Sequence, residues 1–419
     1  MKSKTIRKQK PIRVGVIGVG RGHGFAQGAG PHLGMQLVAL CDKSEESLRN
    51  VNRELKVAAY TDYDKFLGHD MDAVILANYF HQHAPFAIKA LQAGKHVMSE
   101  TSACFTLAQG VALIEAVEKS GKTYMFAENY PYMLFNQEMR RLYQAGRIGT
   151  FMYGEGEYVH PMSADDMCAI SPGLDHWRNW LPATYYSTHA LAPLMFITDT
   201  RPAKVNGFVM TRRPDDPLAQ RIARRSDAAS MIALRMDNGA VVKLLQVGLR
   251  GHSVWVRIHG SRGQMENLRF GDGNRVWLRR ENYHEGDETP EDITFRAAFP
   301  AQHRAAARTG HGGGDYFMNY HFAEAIRTGK PPYWDVYRGV AASIVGILAY
   351  RSALGDSCSL EVPDFRKQAV RRQYADDHWQ PDPTCRKAGD PWPSVLGEIK
   401  PSRKAMAHAR KVWAQQARG

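Results

Sequence analysis

The chain has 419 residues, 44% hydrophobic and 23% charged, a balance that excludes disordered and fibrous classes and exceeds what one core usually organises. No apolar run is long enough to span a membrane, and the five cysteines (Cys41, Cys104, Cys168, Cys358, Cys385) are odd in number with no Cys-x-x-Cys pair, so they read as reduced thiols. Of the net charge of +13, 12 charges fall in residues 1–13 and 400–419, and the stretch between has 43 basic against 42 acidic residues. The expectation is therefore a nearly neutral body with solvated basic tails, without nucleic-acid or membrane partners. The basic N-terminus leads into a strand without a secretory apolar stretch, which with the reduced thiols points to the cytoplasm.

Up to about residue 130, apolar strands alternate with helical patterns. Strands are predicted near 12–18, 36–41, 57–60, 72–78, 96–99 and 123–128, with helices such as 85–93 and 107–120 between them. This alternation predicts an α/β fold with a doubly wound parallel sheet, a Rossmann domain over 1–130. The first strand runs into Gly18-Val19-Gly20, where one glycine permits a sharp turn and the next lets the backbone approach a pyrophosphate at a helix N-terminus. Arg21, Gly22 and His23 complete the turn, and His23 stands where a third glycine is usual. The second strand ends at Asp42, twenty-two residues after Gly20, placed to accept ribose hydroxyls and to repel a 2′-phosphate. NAD is thus favoured over NADP, although Lys43 and Ser44 stand beside Asp42.

From about residue 149 the texture becomes β-rich, with runs at 152–159, 203–210, 230–236, 240–247 and 254–260 and turn signals such as Asp237-Asn238-Gly239. Two helical stretches follow, 316–328 and 337–354. A second, α+β domain on a mostly antiparallel sheet is expected over 131–365, then a basic tail over 366–419. No metal-ligand spacing is present. His176, Trp177, Arg178 and Trp180 suit either stacking on a sugar face or plain packing.

The glycine turn, the segment 78–91 and the β-rich second half resemble the Gfo/Idh/MocA superfamily. The resemblance places Asn78 and His83, in Asn78-Tyr79-Phe80-His81-Gln82-His83, beside the nicotinamide ribose; His81 reads as a solvent-facing residue. Where family dehydrogenases carry Glu-Lys-Pro, this chain has Ser99-Glu100-Thr101-Ser102: Glu100 is kept, and Thr101 cannot relay a proton as a cation. The departures are similar to the branch of NAD-dependent glycoside hydrolases typified by glycoside hydrolase family 109. That likeness is carried by Ala127-Glu128-Asn129-Tyr130, by Gly154-Glu155-Gly156-Glu157, by Tyr186-Ser187-Thr188-His189-Ala190-Leu191-Ala192-Pro193, by Gly310-His311-Gly312-Gly313-Gly314-Asp315, and by Asp335-Val336-Tyr337 with Val362-Pro363-Asp364-Phe365.

By resemblance, the expected activity is glycoside cleavage through transient oxidation at C3, elimination, water addition and hydride return. Such a route needs a base, a group that polarises the new carbonyl, and help for the leaving group. Tyr186 and His189 share a face if their segment is helical and are the candidates for proton transfer; His311 and Glu100 follow, with Glu100 also touching cofactor. Tyr185 competes with Tyr186 for the inward position. Glu128, Asn129, Trp177, Arg178 and Asp315 are candidate substrate contacts, although Glu128 also reads as a helix-start charge. The expected ligands are NAD and a small-molecule glycoside or sugar, and the resemblance implies a homo-oligomer. A net sugar dehydrogenase is the alternative enzyme reading, and a non-catalytic NAD-binding protein is the third.

Overall fold

The structure is a computed structural model that describes residues 10–213, 215–283 and 289–416. Strands β1 (Ile12–Ile17), β2 (Met35–Cys41), β3 (Ala58–Tyr60), β4 (Ala73–Leu76), β5 (His96–Ser99) and β6 (Tyr124–Phe126) form a parallel sheet in the order β3-β2-β1-β4-β5-β6. This is the strand order of a doubly wound dinucleotide-binding sheet, with its crevice where β1 separates β2 from β4. Helices cover both faces, so β4 and β6 are buried at every position. Side chains cap several helices: Ser44 accepts from Ser47 N, Asp62 from Lys65 N and Thr106 from Gln109 N.

The second sheet contains β7 (Phe151–Val159), β8 (Pro202–Met210), β9 (Ala229–Met236), β10 (Val241–Val247), β11 (Ser253–Gly260), β12 (Gly263–Asn267), β13 (Arg275–Arg280), β14 (Glu291–Arg296) and β15 (Leu360–Glu361). Its order is β14-β13-β12-β11-β7-β10-β9-β8-β15; β7 and β10 are parallel and the other pairings antiparallel. Strands β12 to β14 were not anticipated from sequence, since their runs are short and interrupted by charged residues, arginine in β13 and acidic residues in β14. The helices Thr188–Thr198 and Val336–Leu354 pack on the inner face of this sheet. Gly156 lets the first of them lie almost on β7, because a Cβ there would come within 2.1 Å of Ala190 O. Every residue of Thr188–Thr198 is buried, so its pattern has no polar face, and Pro193 lies inside it. These two features hide the helix from periodicity.

The two sheets are not separate bodies. The helix Gly314–Thr328 packs against Val19–Gly28, with Asn319 Nδ2 donating to Phe25 O at 3.2 Å, and one apolar core runs through both halves.

The C-terminal region departs from the expected solvated tail. The helix Arg403–Gln416 docks against Ala164–Ala169: Ala405 and Ala409 are fully buried and Trp413 Nε1 donates to Cys168 O at 2.9 Å. Its basic side chains Arg403, Lys404, Arg410 and Lys411 face solvent. The charge count was therefore right about exposure, but it masked the apolar stripe at i, i+4 and i+7 (Ala405, Ala409, Val412) that docks the helix. The basic N-terminal residues 1–9 lie outside the described residues. Ala409→Asp is expected to lower unfolding free energy by at least about 2 kcal/mol, read from the urea midpoint, because a carboxylate would enter an apolar contact without a partner. An unchanged midpoint would mean that this helix does not stay docked in solution.

Candidate active site

The sharp turn after β1 is enforced by Gly18. It sits at φ 86°, and a Cβ on it would come within 2.3 Å of Ala77 O on the neighbouring strand end. Gly20 has nothing within 4 Å of its Cβ position and opens on a cavity of about 1190 Å³ between the two halves. Gly22 performs the close packing of helix on strand, since a Cβ there would come within 2.8 Å of Val16 Cγ1. The packing glycine thus falls one residue earlier than usual, and His23 turns away to lie 3.3 Å from Glu54. Neither Gly22 nor His23 lines the cavity, so both depart from the expected direct cofactor contact.

Asp42 accepts from Val19 N and Ser44 N, both at 2.9 Å, and borders the cavity beside Lys43. Asn78 lines the cavity with both side-chain amide atoms buried and unpartnered. His83 is buried between two carbonyl oxygens, Ser102 O at 3.0 Å from Nδ1 and Asn78 O at 3.1 Å from Nε2, and burial pushes its pKa down. It therefore braces the Asn78 loop against the segment after β5. An open glycine turn, a carboxylate at the second strand end and an orphaned amide suit a nicotinamide dinucleotide.

Arg21 joins three elements. Its Nε donates to Glu100 Oε1 at 2.7 Å, and its two terminal nitrogens donate to Asp315 at 3.1 and 2.8 Å. Glu100 also accepts from Thr101 N at 3.0 Å, so the carboxylate is held in place. Asp315 faces His311 Nδ1 at 3.1 Å through each oxygen. Burial alone would raise the Asp315 carboxyl, but hydrogen bonds and charge from His311 and Arg21 outweigh it and hold its pKa at about 2. Asp315 is therefore a partner of His311 and Arg21 behind the cavity wall, where sequence suggested a substrate contact.

His189 occupies the first turn of its helix, and its Nδ1 lies 2.6 Å from Glu128 Oε1. Glu128 is completely buried and also accepts from Tyr130 N at 3.3 Å. It lies behind His189 and not in the cavity lining, a second correction to an expected substrate contact. The carboxylate orients the imidazole and leaves Nε2 for the cavity. His189 stacks on Tyr130 at 4.5 Å between ring centres, and Tyr186 meets it edge-on at 5.1 Å. Tyr186 precedes the helix and borders the cavity, whereas Tyr185 is buried against Phe105 and Tyr350. Trp177 and Arg178 also border the cavity, but the Trp177 ring packs against Phe80 and carries the Arg178 guanidinium 4.3 Å from its centre. Trp180 belongs to the core, and Asn129 borders the cavity with its Oδ1 buried and unpartnered.

Tyr130, Tyr158 and His160 line the same cavity and were not singled out from sequence. Burial, then the charge of Glu128 and the phenol of Tyr186, pushes the Tyr130 hydroxyl up; burial likewise raises Tyr158 and lowers His160. The signal was the spacing of two between Tyr158 and His160 at the end of β7, which puts both on one face. No group of three or more metal-ligating side chains occurs among the described residues, and no helix there is long and apolar enough to cross a membrane.

The fold and this cavity define an NAD-binding enzyme of the oxidoreductase type. Residues 12–128 match the family described as "Oxidoreductase family, NAD-binding Rossmann fold", and residues 197–372 match "Glycosyl hydrolase 109, C-terminal domain". The chain belongs to the Gfo/Idh/MocA superfamily, in the branch of glycoside hydrolase family 109, and is an NAD-dependent, sugar-active enzyme. It is 27% identical over 403 residues to glycosyl hydrolase family 109 protein 1 of Shewanella sp. (strain MR-7), and 26% identical over 402 residues to an alpha-N-acetylgalactosaminidase of Shewanella oneidensis, with 86% of each chain covered in both cases. Its fold is similar to that of a levoglucosan dehydrogenase solved with NADH, with TM-score 0.71 at 20% identity over 84% of this chain and all of that one. An oxidoreductase domain protein from Kribbella flavida gives TM-score 0.69 at 23% identity over 85% and 100%.

The two glycines predict different failures. Gly18→Ala should lower both the melting temperature and NAD affinity, because the turn cannot close. Gly20→Val should melt within a few degrees of the parent yet lose about a hundredfold in NAD affinity, about 2.7 kcal/mol, by filling the space for the pyrophosphate. Retained affinity in Gly20→Val, measured by titration, would place the dinucleotide elsewhere.

Proposed function

We propose that the protein is a glycosidase that oxidises its sugar transiently and ends each turnover with its cofactor unchanged. The observation that carries this reading is His189, backed by Glu128 and facing the cavity that the glycine turn opens, with Thr101 where dehydrogenases of this fold hold a lysine. The relatives named as family 109 hydrolases, one an alpha-N-acetylgalactosaminidase, support a glycosidic substrate. Bound NAD would supply the acceptor, and later the donor, of one hydride at a ring carbon.

The chain's own groups supply the proton chemistry. His189 Nε2 is the base that takes the hydroxyl proton as the ring carbon is oxidised, and Glu128 stabilises the resulting imidazolium. Tyr186, beside it, donates a hydrogen bond to the developing carbonyl oxygen. That carbonyl acidifies the neighbouring C2–H, whose proton passes to water in the cavity as the anomeric substituent is eliminated and is replaced from solvent when water adds. His311, poised on Asp315, protonates the leaving oxygen and then activates the incoming water. Glu100, clamped by Arg21 and Thr101 N, holds the sugar and nicotinamide ends together. Arg178 and Asn129 bind substrate.

In deuterated water with aryl glycosides, the protein should release aglycone, place deuterium at C2 and accumulate no NADH. Stoichiometric NADH would instead establish a net dehydrogenase, and neither product a non-catalytic protein. His189→Ala should reduce turnover by about a thousandfold with NAD affinity retained, and Glu128→Gln by a smaller factor. A His189→Ala variant with parental turnover would remove the proposed base.

A further inference from the structure

Seen by charge, the cavity wall contributed by residues beyond 131 is one-sided. Among the described residues it offers Arg178, the imidazoles of His160, His176, His189 and His311, and the phenols of Tyr158 and Tyr186, and it contains no carboxylate. Asp315 and Glu128 lie behind that wall with their histidines, and Glu100, across from it, is held by Arg21. Its imidazoles and phenols can both donate and accept, so among the described residues of this wall the guanidinium of Arg178 is the group of fixed charge.

Arg178 has no ion-pair partner among the described residues; its guanidinium lies on the Trp177 ring. A second arginine, Arg224, lies near it. The segment joining β8 to β9 returns so that Arg225 N donates to Asn179 O at 2.6 Å, next to Arg178, and Arg225 is tied to Asp175 at 3.0 Å. Arg224, the residue before Arg225, is near enough to Arg178 for the two positive charges to repel. Arg224 Nε is buried with no acceptor, as is Arg212 Nε on the same segment. The nearby carboxylates are committed: Asp227 accepts from Ser394 Oγ at 2.7 Å and Val395 N at 3.0 Å, and Asp216 lies 3.6 Å from Arg250. Burial, then the positive charges of Arg212 and Arg178, push Arg224 down to about 9. Asp216 and Asp227 oppose the charge of Arg212, whereas Arg178 and Arg224 have no ion pair among the described residues, and a bound anion would offset their repulsion.

We infer that the substrate carries an anionic substituent, a carboxylate or a sulfate or phosphate ester, received by Arg178, with the nearby Arg224 adding to the positive charge. The planar fork of Arg178 suits two-point bonding to such a group, and its seat on Trp177 fixes the fork's plane. The inference deepens the glycosidase reading and rests on it for the ligand being a glycoside.

Calorimetry on the NAD-loaded protein tests it with three probes: a methyl hexuronide, the 6-sulfate of a methyl hexoside, and the unsubstituted methyl hexoside, each as both anomers. At least one acidic probe should bind tenfold or more tighter than the neutral one, and which acid wins separates carboxylate from ester. Arg178→Met should abolish that preference, Arg178→Lys should leave a fraction of it, and Arg224→Met should weaken it, with NAD affinity reporting that each variant is folded. Equal binding of neutral and acidic probes, no binding of either acidic probe, or an undiminished preference in Arg178→Met would each overturn the inference. The two readings fail separately. Cleavage of neutral aryl glycosides with C2 deuteration and no acid preference sinks only the charge inference, whereas tight acid binding with lasting NADH sinks only the glycosidase reading.

Discussion

Arg21 is the constraint on which the site depends. It follows the glycine turn directly, and its single guanidinium holds Glu100, at the end of β5, and Asp315, at the start of a second-domain helix. One fork therefore fixes the floor of the cavity, the approach of the two halves, and through Asp315 the imidazole of His311. Charge-assisted bonds from one planar group are directional enough to set all three at once. The same link explains why Glu100 is suited to positioning: its carboxylate is engaged by both Arg21 and Thr101 N.

The second pair, Glu128 with His189, is assembled in the same way from distant segments. Glu128 follows β6, and His189 opens a wholly buried helix brought close by Gly156. His189 and His311 are thus each backed by a carboxylate that does not itself reach the cavity. This separation leaves the second-domain wall without free negative charge and gives Arg178 its unopposed field there.

The C-terminal helix shows how local charge can mislead. Its exposed cations dominate composition, while docking comes from a narrow stripe of small apolar residues that counts for little in any average. It covers the helix Ala164–Ala169, and Met162 and Ile170 on either side of that helix line the cavity. The last elements of the chain thereby support the wall of the site.

The sequence by itself determined the parallel sheet, because buried strands and alternating helices leave a strong local pattern, and the glycine turn, because its backbone geometry admits few other residues. Motif spacing for Asp42, and family resemblance for Asn78, His83, Tyr186, His189 and His311, marked candidate site residues that line the cavity. Only the tertiary structure decided which polar groups face the cavity and which stand behind it. Glu128 and Asp315 look like ligands in one dimension, and they prove to be partners of histidines 61 and 4 residues away. The reason is physical: a carboxylate's role is set by which donor it meets, and for Glu128, as for Arg21 and Asp315 at a separation of 294 residues, that donor is supplied by folding and not by sequence neighbours.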